Sequence, residues 1–283
     1  MAPPIYAGTL ERTWYYGFRF ICALIFIFLI GPIFIIVPIS FNAEPYFNFT
    51  PEMLSLDPAG FSTRWYEDFW GDLNWRLAVK NSFIIAIFAT LISTSLGTLA
   101  ALALSRAEMP FKTLVMALMI SPMIVPLIIS AAGMYFFYSR IGLASTHIGV
   151  ILAHAALGTP FVVITVTATL VGFDHSLTRA GANLGANPTR VFFKIIVPLI
   201  LPGVISGALF AFITSFDEVV VVLFVGSVEQ RTIPWAMFSG IREEISPTIL
   251  AVATLLICLS IMLLTTLELL RRRNERLRGL SPG

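Results

Sequence analysis

The sequence predicts an all-α membrane protein of about six transmembrane helices, with a short polar docking helix between two of its spans. Three observations carry that expectation. The 283 residues are 57% hydrophobic and 12% charged, with a mean hydropathy of +0.88, too apolar for an ordinary soluble domain. Six stretches reach the roughly 20 mostly apolar residues that a spanning helix needs: 20–40, 81–104, 114–138, 148–171, 195–225 and 248–270. Between the fourth and fifth lies DHSLTRAGANLGANPTRVFFKIIVPLILP (174–202), whose first half is polar and carries helix-capping and helix-stopping residues.

Taken in order, the first apolar stretch exceeds a signal-peptide core and no small-x-small cleavage site follows it, so it reads as a retained anchor. The long loop 41–80 ends in FSTRWYEDFWGDLNWR, where Trp65, Tyr66, Phe69, Trp70 and Trp75 alternate with charges. Such rings favour the membrane-water interface, which predicts a helix lying along the outer surface. Arg106 to Lys112 forms a tight turn with Pro110 as breaker. The third and fifth spans contain prolines and are expected to be the least regular. A second outer loop, GSVEQRTIPWAMFSGIREEISPT, offers an amphipathic face with Trp235, Phe238, Glu243 and Glu244. No linker, repeat or low-complexity stretch divides the chain. The expected organisation is a segment 1–19, a transmembrane domain 20–270 with a coupling helix at about 174–187, and a basic tail 271–283.

Charge fixes the expected orientation, because Lys and Arg are retained on the cytoplasmic side. With the N-terminus inside, twelve of the eighteen Lys and Arg residues fall inside and six outside, where nine acids outnumber them. Both termini are therefore expected in the cytoplasm. The tail RRRNERLR reads as a stop signal beside anionic lipid headgroups rather than a nucleic-acid site. Cys22 and Cys258 fall within spans as small apolar residues, with no disulfide or zinc pattern. His154 lies inside the fourth span, where a hydrogen bond between helices is the expected role.

The polar insertion reads as a docking element. Asp174 can cap a short helix, Leu177, Ala180, Gly181 and Leu184 recur at helical spacing, and Gly185 with Asn187-Pro188 supplies the stop. Ala180, Gly181 and Ala182 keep that helix thin enough for a groove on another protein.

Chemistry of the usual enzymatic kinds finds no support. Lys80, Lys112 and Lys194 are not preceded by a glycine-rich phosphate loop, and H-E-x-x-H, G-x-S-x-G and dinucleotide fingerprints are absent. No metal site or cofactor is expected in this chain. What stands out is Asp217-Glu218 within AFITSFDEVVVVLF. A carboxylate at mid-bilayer costs about 2.5–3.5 kcal/mol on insertion scales, so such a group faces a cavity or a partner. Helical neighbours point about 100° apart, so at most one of the two is expected to face a pathway, with the other paired to a neighbouring helix; the alternative is that both are structural, satisfied by hydroxyls, a buried amide or a second subunit.

The segments WYEDFW, NSFIIA, LTRAGANLGANPTRVFFKIIVPLILPGVISG, SFDEVVVVLF, RTIPWAMFSGI and SPTILAVATLL together resemble the membrane subunits of ATP-binding-cassette importers, in the branch serving spermidine and putrescine. The likeness extends over nearly the whole chain. It implies a type I importer permease fold in the bacterial inner membrane. It also implies a coupling helix, formed here by Leu177, Arg179, Ala180, Gly181, Leu184, Gly185, Ala186 and Pro188, seated in a cleft on an ATPase subunit. The family usually has Glu-Ala-Ala where this chain has Arg179-Ala180-Gly181, which reverses a charge. The implied partners are two ATPase subunits that bind ATP and magnesium, a second homologous permease, and a periplasmic solute-binding protein. Similar polyamine permeases carry an acidic pair after Ser-aromatic or Ser-Leu, which places Ser215, Phe216, Asp217 and Glu218 along the solute path. Relatives that handle opines or amino-acid-like solutes keep those substrate classes open. An ion-coupled secondary transporter, with the acidic pair as its ion site, is the rival from another class; it calls for an inverted repeat, and none is visible.

Overall fold

The structure is a computed structural model that describes residues 8–106, 108–174, 176–243 and 246–277. Helix α1 (Thr9–Ile39) starts well before the first apolar stretch, because TLERTWYYGFR contains no proline and Glu11 accepts the Gly8 N–H at its start, 3.1 Å away. Short helix α2 (Pro51–Leu54) is capped by Thr50, and α3 (Arg64–Gly71) is the aromatic surface helix. Helix α4 (Leu73–Leu104) follows, capped by Asp72. Then come α5 (Lys112–Ile124), α6 (Leu127–Ile141), α7 (His147–Val171), α8 (Ser176–Asn183), α9 (Pro188–Val191), α10 (Val197–Phe216), α11 (Val220–Val225), α12 (Ile233–Glu243) and α13 (Thr248–Leu277).

Two of the six expected spans differ from their sequence reading. The third is not one rod: α5 and α6 meet at a bend of 101°. Pro126 cannot continue a helix and forces Val125 before it into an extended conformation (φ −67°, ψ 135°). The fifth is not continuous from 195 to 225. Its helix runs unbroken over Pro188–Phe216 and stops there, so Asp217-Glu218 lies at an interruption and not within a helix. Among the described residues five helices are long and apolar enough to cross a membrane, and six if the bent pair counts as one span.

The chain divides into two compact units, Met1–Gly71 with Glu243–Gly283, and Asp72–Arg242. In the first, α13 packs against α1 and α3. The loop before α3 is held by side chains: Trp65 Nε1 donates to the Asn42 carbonyl at 2.7 Å, Asn42 Nδ2 donates to the carbonyls of Tyr46 and Asn48, and the Ser40 and Tyr66 hydroxyls bond at 2.7 Å. Trp65 and Phe69 turn into this unit while Trp70 is exposed.

In the second unit α4, α7 and α10 pack most closely. Helix α4 presents Ala89, Ser93, Gly97 and Ala101 every fourth residue, and α10 presents Gly203, Gly207, Ala211 and Ser215; all eight are buried. Small residues at this spacing let backbones approach where lipid offers no hydrophobic drive to association. A methyl group added at Gly97 would meet Val162, one at Gly203 would meet Thr169, and one at Gly207 would meet Thr165 and the Val162 backbone. Ser93 Oγ adds a bond across the contact to the Ala155 carbonyl, 3.0 Å. A separate apolar cluster of Ile85, Ala131, Val150, Leu157, Val221 and Val225 holds α11 against α6 and α7.

Candidate functional site

Helix α8 forms where the docking element is expected. Asp174 accepts from both the backbone N–H (2.8 Å) and the hydroxyl (2.7 Å) of Ser176 ahead of the first turn. At the other end Gly185 takes φ +79°, a left-handed conformation that glycine adopts without strain. The N–H of Ala186 bonds the Gly181 carbonyl at 3.0 Å and that of Gly185 bonds the Ala182 carbonyl at 2.9 Å, the paired bonds of a Schellman stop. Asn187 then accepts the Arg190 N–H at 2.8 Å and Pro188 takes the first helical position, so the next helix starts immediately.

The expected face of this helix is divided. Leu177, Arg179, Ala180 and Leu184 are exposed, Leu184 at 89%. Gly181 is buried, and a methyl group there would lie 2.7 Å from Ile195 Cδ1. Its small size therefore serves packing against its own chain, which the sequence reading had assigned to an outside groove. Ala186 is half-buried, and Gly185 and Pro188 are exposed.

From Pro188 the backbone continues through a π turn at Phe192–Ile196, in which the Val197 N–H reaches the Phe192 carbonyl. Pro198 follows directly: it has no N–H for the Lys194 carbonyl and its ring crowds that group, and the wider turn relieves the mismatch. Residues Ala180 to Phe216 are thereby linked through short, hydrogen-bonded connections that end at the acidic pair.

At that end the two carboxylates have different surroundings. Asp217 caps the C-terminus of α10, its N–H bonding the Ile213 carbonyl, and it is exposed. Glu218 is 8% exposed, and its Oε1 accepts the Val221 N–H at 2.9 Å. It sits at the N-terminus of α11, where unpaired backbone N–H groups favour a negative charge. Ser215 is buried and bonds His154 Nδ1 at 2.9 Å across the α7–α10 contact. Phe216 stacks on Phe212 and meets Phe83 of α4 edge-on, with centroids 5.5 and 5.3 Å away.

Sequence reading missed a polar hub beside this region. Asn81, at the start of the second apolar stretch, donates to the carbonyls of Glu229 and Arg231 and bonds His147 Nε2 at 3.1 Å. It ties α4, α7 and the loop ahead of α12. A buried amide flanking an apolar run was the available signal.

A helical membrane domain with a capped, exposed surface helix feeding a broken span defines a transport permease of several spans. The chain belongs to the family described as "Binding-protein-dependent transport system inner membrane component", which matches residues 93–276. It is 34% identical over 252 residues to the spermidine/putrescine transport system permease protein PotC of Haemophilus influenzae, covering 89% of this chain and 95% of that protein. It is 30% identical over 248 residues to PotC of Escherichia coli K12, covering 88% and 91%. The putrescine transport system permease protein PotI of the same organism is 33% identical over 239 residues, covering 82% of each chain. Among solved structures, a bacterial ABC transporter involved in the import of the acidic polysaccharide alginate has a chain of the same fold. Its TM-score is 0.75 at 15% identity, over 94% of this chain and 99% of that one. The family is one of inner-membrane transport components rather than enzymes, and its description ties it to transport that depends on a binding protein.

Proposed function

We propose that this chain is one of two permease subunits of an ATP-driven importer that carries a polyamine, spermidine- or putrescine-like, across the bacterial inner membrane, with both termini cytoplasmic. The observation that carries the cationic solute is the exposed Asp217 at the interruption between α10 and α11. An alkylammonium has three donors and no acceptor. The C-terminus of a helix leaves carbonyls without intrahelical partners and carries partial negative charge. Asp217 adds a full charge at that point, and non-helical backbone at membrane depth is tolerated where it lines a cavity. Glu218 has a different task, holding the interruption in shape by capping α11. The named activities of the three relatives support the same substrate class.

The exposed Leu177, Arg179, Ala180 and Leu184 are the face we assign to the cleft of an ATPase subunit, with a partner acid opposite Arg179. ATP and magnesium belong to two such subunits. Closure of the ATPase pair moves α8, and the stopped and recapped junction at Gly185–Pro188 passes that motion into the 29-residue helix ending at Phe216. At about 1.5 Å per residue that helix is long enough to cross the bilayer, so displacement at one membrane face is carried along it to Asp217 just past its far end. A second permease closes the path, and a periplasmic binding protein delivers the solute.

The test is uptake of labelled putrescine and spermidine by the assembled complex in liposomes. ATP-dependent uptake that excess opines or neutral amino acids do not compete away is the expected result. Uptake of those solutes instead, with polyamines inert as competitors, sinks the assignment.

A further inference from the structure

We propose that a groove at the end of α4 binds a zwitterionic aminophospholipid, with its phosphate on Arg106, its ammonium on Glu108 and an acyl chain along Leu99 and Leu102. The groove has a volume of about 640 Å³ and is walled by Leu99, Leu102, Ala103, Met109, Pro110 and Phe192, with Arg106 and Glu108 as its charged residues. That volume lies within the roughly 300–1,000 Å³ of small-ligand sites.

The order of chemistry along the groove is that of a lipid. Leu102 and Ala103 come three and four residues after Leu99, and Arg106 comes four and three residues after them, the first three on α4 and Arg106 just past its end at Leu104. Residues at this spacing lie on one face of a helix, so the wall changes from apolar to charged as the chain leaves the membrane. Both charges are available: among the described residues neither Arg106 nor Glu108 forms an ion pair or a side-chain hydrogen bond. A planar guanidinium suits a phosphate, and a carboxylate beside it suits an ammonium while opposing a purely anionic headgroup. Opposite unpaired charges on one rim thus match phosphoethanolamine better than phosphoglycerol, which lacks the cation, or phosphocholine, whose quaternary nitrogen has no N–H to donate. Phe192, the first residue of the π turn, forms the far wall, so an occupied groove supports the entry of α10. The proposal rests on the chain lying in a bilayer and not on the identity of the solute.

The experiment is native mass spectrometry of the assembled complex released from nanodiscs holding equal phosphatidylethanolamine, phosphatidylglycerol and phosphatidylcholine. The wild type retains phosphatidylethanolamine in preference to both others. Arg106→Gln lowers its retention about tenfold, the loss of one charged hydrogen-bonding partner. Glu108→Gln abolishes the preference over phosphatidylcholine while leaving total lipid retention in place, and Ala103→Trp, which fills the groove with both charges kept, removes the lipid. Preference for phosphatidylglycerol, or equal retention of phosphatidylethanolamine by the wild type and an intact Arg106→Gln or Ala103→Trp complex, overturns the proposal. Because the readout is lipid mass, a failure here is distinct from a failure of polyamine uptake.

Discussion

An ionised carboxylate in hydrocarbon costs about 2.5–3.5 kcal/mol on insertion scales, and Asp217 and Glu218 meet that cost in different ways. Glu218 is satisfied by the backbone of α11, whereas Asp217 is exposed at the end of α10. Substitution should separate them. Asp217→Asn removes a charge from an open position and is expected to cut polyamine uptake about tenfold or more, on the 1.5–3 kcal/mol scale of charged hydrogen bonds, with the melting temperature unchanged. Glu218→Ala removes a cap and is expected to destabilise the purified chain by about 1–2 kcal/mol, read as a lowered melting temperature. Reversed outcomes would exchange the two roles. The sequence marked both residues, since two acids in an apolar run stand out in any reading. Which of them faces outward was not legible, because the 100° argument presumed a helix that in fact stops at Phe216. The partner of His154 was equally hidden: Ser215 is 61 residues away, and only the packing of α7 on α10 brings the two together.

At the scale of elements, composition located the spans, and proline acted differently in two of them. Pro126 bends the third span, yet Pro198 and Pro202 leave the helix from Pro188 to Phe216 continuous. The difference lies in the neighbours: a π turn absorbs Pro198, while no wider turn precedes Pro126 and the chain there turns extended. A glycine at position 203 or 207 can serve either a loosened helix or a close contact. The structure resolves this in favour of contact, as Gly207 has the Val162 Cα 2.8 Å from where its methyl would stand. Gly207→Val is therefore expected to destabilise the chain by about 1–3 kcal/mol through overpacking against backbone. Gly133 on α6, with open space around its missing methyl, is the control: Gly133→Ala should leave thermal stability unchanged or raise it by up to about 1 kcal/mol. Equal losses in both variants would show that close α7–α10 approach is not what these glycines provide.

At the scale of the whole molecule the surface is too apolar to end at this chain. The most apolar stretch of α1 has none of its residues buried, and α5 exposes Leu114, Leu118, Met123 and Ile124. We assign part of such a surface to lipid and the rest to partner subunits, because a contiguous apolar face outside the bilayer marks an interaction site. Leu184 is of that second kind, being 89% exposed just past the end of the polar helix α8. Substituting it separates ATPase docking from the packing of the membrane helices, since α8 packs chiefly against α9 and the π turn. In mild detergent the wild-type chain is expected to copurify with an ATPase subunit and a second permease in stoichiometric amounts. Leu184→Asp should release the ATPase, lowering its recovery about thirtyfold, which corresponds to the roughly 2 kcal/mol of an interface anchor, while the permease pair persists. Retention of the ATPase by that variant would move the docking surface away from α8, and loss of both partners together would mean that α8 supports the permease fold itself. Charge adds a second readout on the same helix: with a partner acid opposite Arg179, Arg179→Glu should weaken ATPase docking, and stronger docking by that variant would overturn the assignment of that acid.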